Sequence, residues 1–118
     1  MKKIINYSLL ILILFTFGCN NGSLSRATIE IKNNAGQALT KIQVMHDRGS
    51  YNIDALKSGK TDKHQIEADK YAHLTLLFNS QGGIQPEIST INVYFKPKDA
   101  KIVSIAIDNQ MNTSWVVR

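Results

Sequence analysis

The sequence is short of most features that announce a chemistry. It has one cysteine, at position 19, which excludes an internal disulfide framework and any multi-cysteine metal cluster. Its two prolines and seven glycines are spread along the chain, and there is no internal repeat or low-complexity tract. The charge excess is small: fourteen Lys and Arg stand against nine Asp and Glu, and Lys2 and Lys3 precede an apolar run. The other twelve cations are scattered, the nearest thing to a cluster being Lys57, Lys60 and Lys63, interrupted by Asp62. Nucleic-acid-binding domains concentrate Lys and Arg on one face, with aromatic or polar base readers between them. No such stripe is present, so nucleic acid is not an expected partner.

Catalytic patterns are missing as well. The serines lack the Gly-x-Ser-x-Gly elbow, and Gly82-Gly83 has no downstream Lys-Ser/Thr of a phosphate loop. Asp62, Glu67 and Asp69 are dispersed and suit solvated turns and strand edges. His46, His64 and His73 form no i, i+2 pair that would aim two imidazoles from one strand at a metal, so a shared site would need three separate segments to meet. The expectation is a protein that is not an enzyme and needs neither metal nor small-molecule cofactor.

What is present starts at the amino terminus. Met1-Lys2-Lys3 is a short positive region, followed by a largely apolar stretch from Ile4 to Phe17 and then by Gly18-Cys19 and polar Asn20-Asn21-Gly22-Ser23. Fourteen residues are too few for the roughly 20 that cross a bilayer core, and suit the apolar region of a signal peptide. Thr16-Phe17-Gly18-Cys19 resembles the lipobox of bacterial lipoprotein precursors, with Thr16 where leucine is usual. The resemblance covers residues 1–19 and implies cleavage between Gly18 and Cys19, with a diacylglycerol on the Cys19 thiol and an acyl chain on its new amino group. Three chains make a stable anchor without a transmembrane helix. Asn20, where an aspartate would favour inner-membrane retention, implies the outer membrane, facing the periplasm. Membrane contact through this anchor is therefore one expected partnership.

Removal of 1–18 leaves 100 residues, room for one domain and one core. Residues 19–26 read as the lipidated cysteine and a polar tether, and 27–118 as the folded domain. Beyond Ala27 the apolar residues alternate with polar ones at a period of two, the signature of half-buried strands. The rows Ile29/Ile31, Ile42/Val44, Leu74/Leu76/Phe78, Ile91/Val93/Phe95 and Val103/Ile105/Ile107 should line the core. Turns are marked by Asn33-Asn34-Ala35-Gly36, Ser58-Gly59-Lys60, Asn79-Ser80-Gln81-Gly82-Gly83, Lys96-Pro97-Lys98-Asp99 and Asp108-Asn109. Ile88 is out of phase with Ile91, which predicts a bulge near Ser89. No window holds a helical apolar stripe. The fold expected is all-β: a small antiparallel β-sandwich, immunoglobulin-like or transthyretin-like, of seven or eight strands. A small up-and-down barrel is the runner-up. The stretch from Ile29 to His46 and on through Leu56-Lys57-Ser58-Gly59 also resembles the opening hairpin of small bacterial β-sandwich modules and, faintly, of aegerolysin-like membrane-binding proteins.

A binding surface is the remaining candidate for a site. Tyr71 and His73 fall on the side of their strand opposite Leu74, and Tyr94 on the side opposite Val93. Outward aromatics are enriched at interfaces, though they also cover core edges. Met45-His46-Asp47-Arg48-Gly49-Ser50-Tyr51 reads as a mixed loop at one end of the domain, where binding residues often sit. The expectation is a lipid-anchored envelope module that recognises another envelope protein, as an inhibitor, immunity protein or adaptor. Its rivals are an accessory subunit of a secretion or assembly machine and a domain that engages lipid directly.

Overall fold

The computed structural model describes residues 25–118. Gly18 and Cys19, the expected cleavage and lipid-attachment residues, lie outside the described residues. The domain has eight strands, β1 (Ser25–Asn33), β2 (Leu39–His46), β3 (Gly49–Leu56), β4 (Thr61–Ala68), β5 (Tyr71–Asn79), β6 (Glu87–Tyr94), β7 (Ile102–Ile107) and β8 (Thr113–Val117), and no helix among the described residues. They form two four-stranded sheets, β4-β1-β7-β8 and β3-β2-β5-β6. The fold is thus the expected all-β sandwich. All pairings are antiparallel except β1 with β7, which run parallel with Ile29 beside Val103 and Ile31 beside Ile105. In the immunoglobulin order the first strand lies beside the second. Here β1 lies between β4 and β7 in the opposite sheet from β2, which agrees with the transthyretin-like alternative.

The period-two rows explain the packing. Ala27, Ile29 and Ile31 of β1 and Val103, Ile105 and Ile107 of β7 bury their side chains against Ile42, Val44, Leu74, Leu76, Phe78, Ile91 and Val93 of the second sheet. Phe78, which is 0% exposed, is among the largest fully buried side chains. β1 starts at Ser25, so Ser25 and Arg26 pair with Ala68 and Glu67 instead of extending the tether. Asn33, expected as a turn residue, closes β1 and is a fully buried polar side chain. Its Nδ2 donates to the carbonyls of Gln37 (2.7 Å) and Leu56 (2.8 Å), and its Oδ1 accepts the Ala35 amide (2.8 Å). One amide thereby satisfies three backbone groups around the end of β1.

The bulge is in a different place from the one expected. Pairing of β5 with β6 runs without a break through Leu76–Ser89 and Leu77–Ile88, and Ile88 points outward, 66% exposed. The register shift lies between Thr40 and Gln43 of β2 against β5, where Lys41 has a φ of +50°. The extra residue lets Leu39 and Ile42, three apart, both face the core.

Candidate functional site

The sandwich has two ends, two outer faces and two open sides, and the candidate residues lie at one end, along one open side and on the outer faces. The segment Met45–Tyr51 is a tight hairpin: Met45 pairs with Ser50 and His46 with Gly49, leaving Asp47 and Arg48 as the turn. Gly49 has a φ of +153°, backbone that a residue with a Cβ rarely adopts. The Arg48 amide donates to His46 Nδ1 at 3.3 Å. The hairpin turns His46 and Tyr51 toward the side where β3 and β4, the edges of opposite sheets, meet. There the Tyr51 ring stacks on His64 of β4 with centroids 3.8 Å apart, and His46 lies tilted against Tyr51 at 6.5 Å.

Three segments therefore bring His46, Tyr51 and His64 together, a contact that sequence spacing could not reveal. Its signal was faint: His64 and Asp62 occupy the inward phase of β4, opposite Ile29 and Ile31, where an apolar pair would be usual. Burial holds the His46 imidazole below its ordinary pKa of 6.5; Asp47 opposes this and nearby His64 adds to it. Burial, and secondarily the charge of Asp62, pushes the Tyr51 phenol above its ordinary range. The Tyr51 hydroxyl is buried without a protein partner. Among the described residues no three His, Cys, Asp or Glu side chains converge as metal ligands. The arrangement is a stacked plug across an open side of the sandwich.

Tyr71, His73 and Tyr94 lie on the outer face of β5 and β6. Tyr71 pairs with Tyr94, ring centroids 5.1 Å apart, and His73 Nδ1 is 2.8 Å from Asn92 Oδ1. Thr75 with Thr90 and Leu77 with Ile88 complete four outward pairs. Across both strands the one charged residue is Glu87, at the very start of β6. Tyr71, Ile88 and Tyr94 are 56%, 66% and 49% exposed.

The outer face of the other sheet is built on charge. Glu30 of β1 accepts from Ser104 Oγ (2.8 Å) and Arg118 (2.8 Å), while Lys63 lies 3.4 Å from its second oxygen. Arg118 also donates to Ser104 Oγ at 2.9 Å. The Ser104 hydrogen bond, with Lys63 and Arg118, holds the Glu30 carboxyl below its ordinary 4.5, against a smaller opposing effect of desolvation.

No protein-family model matches this chain, and no curated protein is significantly similar to it. It is similar in structure to a protein from Eubacterium rectale solved by NMR, with a TM-score of 0.53 and 15% identity over 83% of this chain and 92% of that one. At that identity the likeness shows a shared fold alone.

Proposed function

We propose that the protein is a non-catalytic binding module, held at the bacterial envelope by lipid on Cys19, that recognises another envelope protein through the outer face of β5 and β6. The observation that carries this reading is the absence of Asp, Glu, Lys and Arg from the four outward pairs between Tyr71/Tyr94 and Leu77/Ile88. Interface cores are depleted in charge and enriched in aromatics, because a charge must be desolvated to be covered. The neighbouring outward residues of β2, Gln43 and Met45, extend this uncharged surface beside Leu77 and Thr75. The lipobox-like segment supports delivery to the envelope.

The test is recovery of the full chain, tagged at its carboxy terminus, from gently solubilised envelopes, with co-purifying proteins identified by mass spectrometry. A stoichiometric partner should be captured by the native chain and lost with Thr90→Arg, which sets a charge in the middle of the face. Retention of the partner by Thr90→Arg and by Ile88→Asp would remove this face from the proposal. A Cys19→Ala chain reports separately whether capture needs the anchor.

A further inference from the structure

The net charge of the domain has an address. β1, β5 and β7 begin at the same end of the sandwich, and β4, β6 and β8 finish there, so this end also carries the β2–β3 turn, residues 69–70, residues 95–101 and the carboxy terminus. Arg26, Arg48, Lys70, Arg118 and the three lysines of 95–101 gather there, seven of the twelve cations that follow Cys19. Four of the nine carboxylates accompany them: Asp47, Glu67, Asp69 and Asp99. The rest of the domain has five of each sign, so the excess of positive side chains belongs to this end, where Arg118 is paired with Glu30 and Lys70 and the lysines of 95–101 carry the remainder with Arg26 and Arg48.

The same end holds a recess. Lys70, Tyr94, Phe95, Lys96, Pro97 and Lys101 line a pocket of about 290 Å³. The Lys101 ammonium lies 5.8 Å from the centre of the Phe95 ring, and the Phe95 amide donates to the Lys70 carbonyl at 2.8 Å. The turn beside it is fixed from within: the Lys96 amide donates to Asp99 Oδ2 at 2.8 Å and the Asp99 amide to the Lys96 carbonyl at 2.9 Å. Asp99 is thereby engaged with its own turn while Lys96 and Lys98 remain exposed.

This is also the end nearest the anchor. Five residues separate Cys19 from Ser25, a span of at most about 20 Å. Electrostatic attraction to a charged bilayer surface extends about a Debye length, roughly 8–10 Å at ordinary ionic strength. A short tether leaving from the cationic end keeps that end within about 20 Å of the anchor, close enough for the cations to enter the range of the headgroups. Phe95 is buried in the core and forms the floor of the recess, whereas Tyr94 is exposed, and an exposed tyrosine beside lysines suits the boundary between headgroups and water.

We infer that this end docks on anionic phospholipid headgroups, with Lys70, Lys96 and Lys101 around the Tyr94–Phe95–Pro97 recess making the contact, so that the domain stands on the membrane in one orientation. The inference rests on the lipid attachment proposed above and deepens it, by turning attachment into a fixed stance that places the Tyr71/Tyr94 pair near the bilayer and leaves the Thr75/Thr90 and Leu77/Ile88 pairs of the β5–β6 face directed away from it.

The test is amine labelling of the intact anchored protein, read lysine by lysine by mass spectrometry. The protein is reconstituted in vesicles of phosphatidylcholine alone, or of phosphatidylcholine with about one-third phosphatidylglycerol. On anionic vesicles at low salt, Lys70, Lys96 and Lys101 should label several-fold more slowly than on neutral ones, while Lys57 and Lys60 at the opposite end keep their rates. At about 1 M salt, where the Debye length falls to ~3 Å, the protection should vanish. Lys96→Glu with Lys98→Glu, both in an exposed turn, should abolish the protection of Lys70. Equal rates on the two vesicles, or protection that survives high salt, would overturn the inference. The mass of the Cys19 peptide from the same digest reads acylation independently, so failure of docking is distinguished from failure of anchoring.

Discussion

The two sheets share one core and the same number of strands, yet their outer faces solve opposite problems. On β1, β4, β7 and β8, the Glu30 carboxylate is met by Ser104, Arg118 and Lys63, so the charge is compensated within the sheet. On β5 and β6 the outward pairs carry no acidic or basic side chain, and Tyr71, Ile88 and Tyr94 are exposed. A partner that covered this face would have to strip water from ions. A face of hydroxyls, amides and rings can be covered at far smaller cost. The contrast is the reason the second face, and not the first, carries the functional proposal.

The largest expected effect falls on what both faces share. Asn33→Ala leaves the Gln37 and Leu56 carbonyls and the Ala35 amide without their partner, and should lower unfolding stability by about 3 kcal/mol in urea denaturation. Both sheets should be lost in a single transition. The faces separate in the next experiment. Thr90→Arg should weaken partner capture at least about tenfold, in line with interface residues that cost ~1.4 kcal/mol or more. Gln65→Arg, at an exposed site on the outer side of β4, should leave capture unchanged, and equal losses from the two would erase the distinction between the faces.

Smaller effects belong to the seam between the sheets. Tyr51→Phe keeps the stack on His64 and removes a buried hydroxyl that lacks a protein partner, so stability should rise by about 1 kcal/mol. His46 resists protonation in the folded chain, whereas the unfolded chain takes up its proton near pH 6.5. Stability should therefore fall as pH drops below about 6.5 and be indifferent to this group above it. His46→Gln should flatten that part of the pH profile. The smallest expected change is at Glu30, whose lowered pKa stabilises the fold above about 4.5 and ceases to do so as pH falls through its folded value. Glu30→Gln should remove that acid-side loss, together with part of the salt sensitivity of the melting temperature.

Most of the architecture was legible because strands buried on one side write their inward rows at a period of two. β5, β6 and β7 could be read directly. β3 and β4 were faint, since their inner faces carry Tyr51, Ile53, Asp62 and His64 at an open side where burial is partial. The two phase breaks show the limit most clearly. Leu39 and Ile42, like Ile88 and Ile91, are apolar residues three apart. The first pair is inward on both counts and demands a bulge, while Ile88 stays in solvent on a regular edge strand. Spacing alone does not say which member of such a pair the core accepts. The outward position of Tyr71 and Tyr94 was readable from phase, but their pairing, and the meeting of His46, Tyr51 and His64, depend on which strands become neighbours. The clustering of cations at one end was hidden for the same reason, because they come from five separate stretches of chain.

The position of β1 has a mechanical consequence. Any pull applied ahead of Ser25 runs along a strand that is hydrogen-bonded on both sides, to β4 and to β7. Ladder bonds lie across the strand axis, so such a pull loads both rows in shear, and many must yield together before β1 can slide. A strand at the sheet edge, peeled from its end, would release its bonds one at a time. Placing β1 in the middle of the sheet makes the point where the chain enters the domain at Ser25 a strong one under tension.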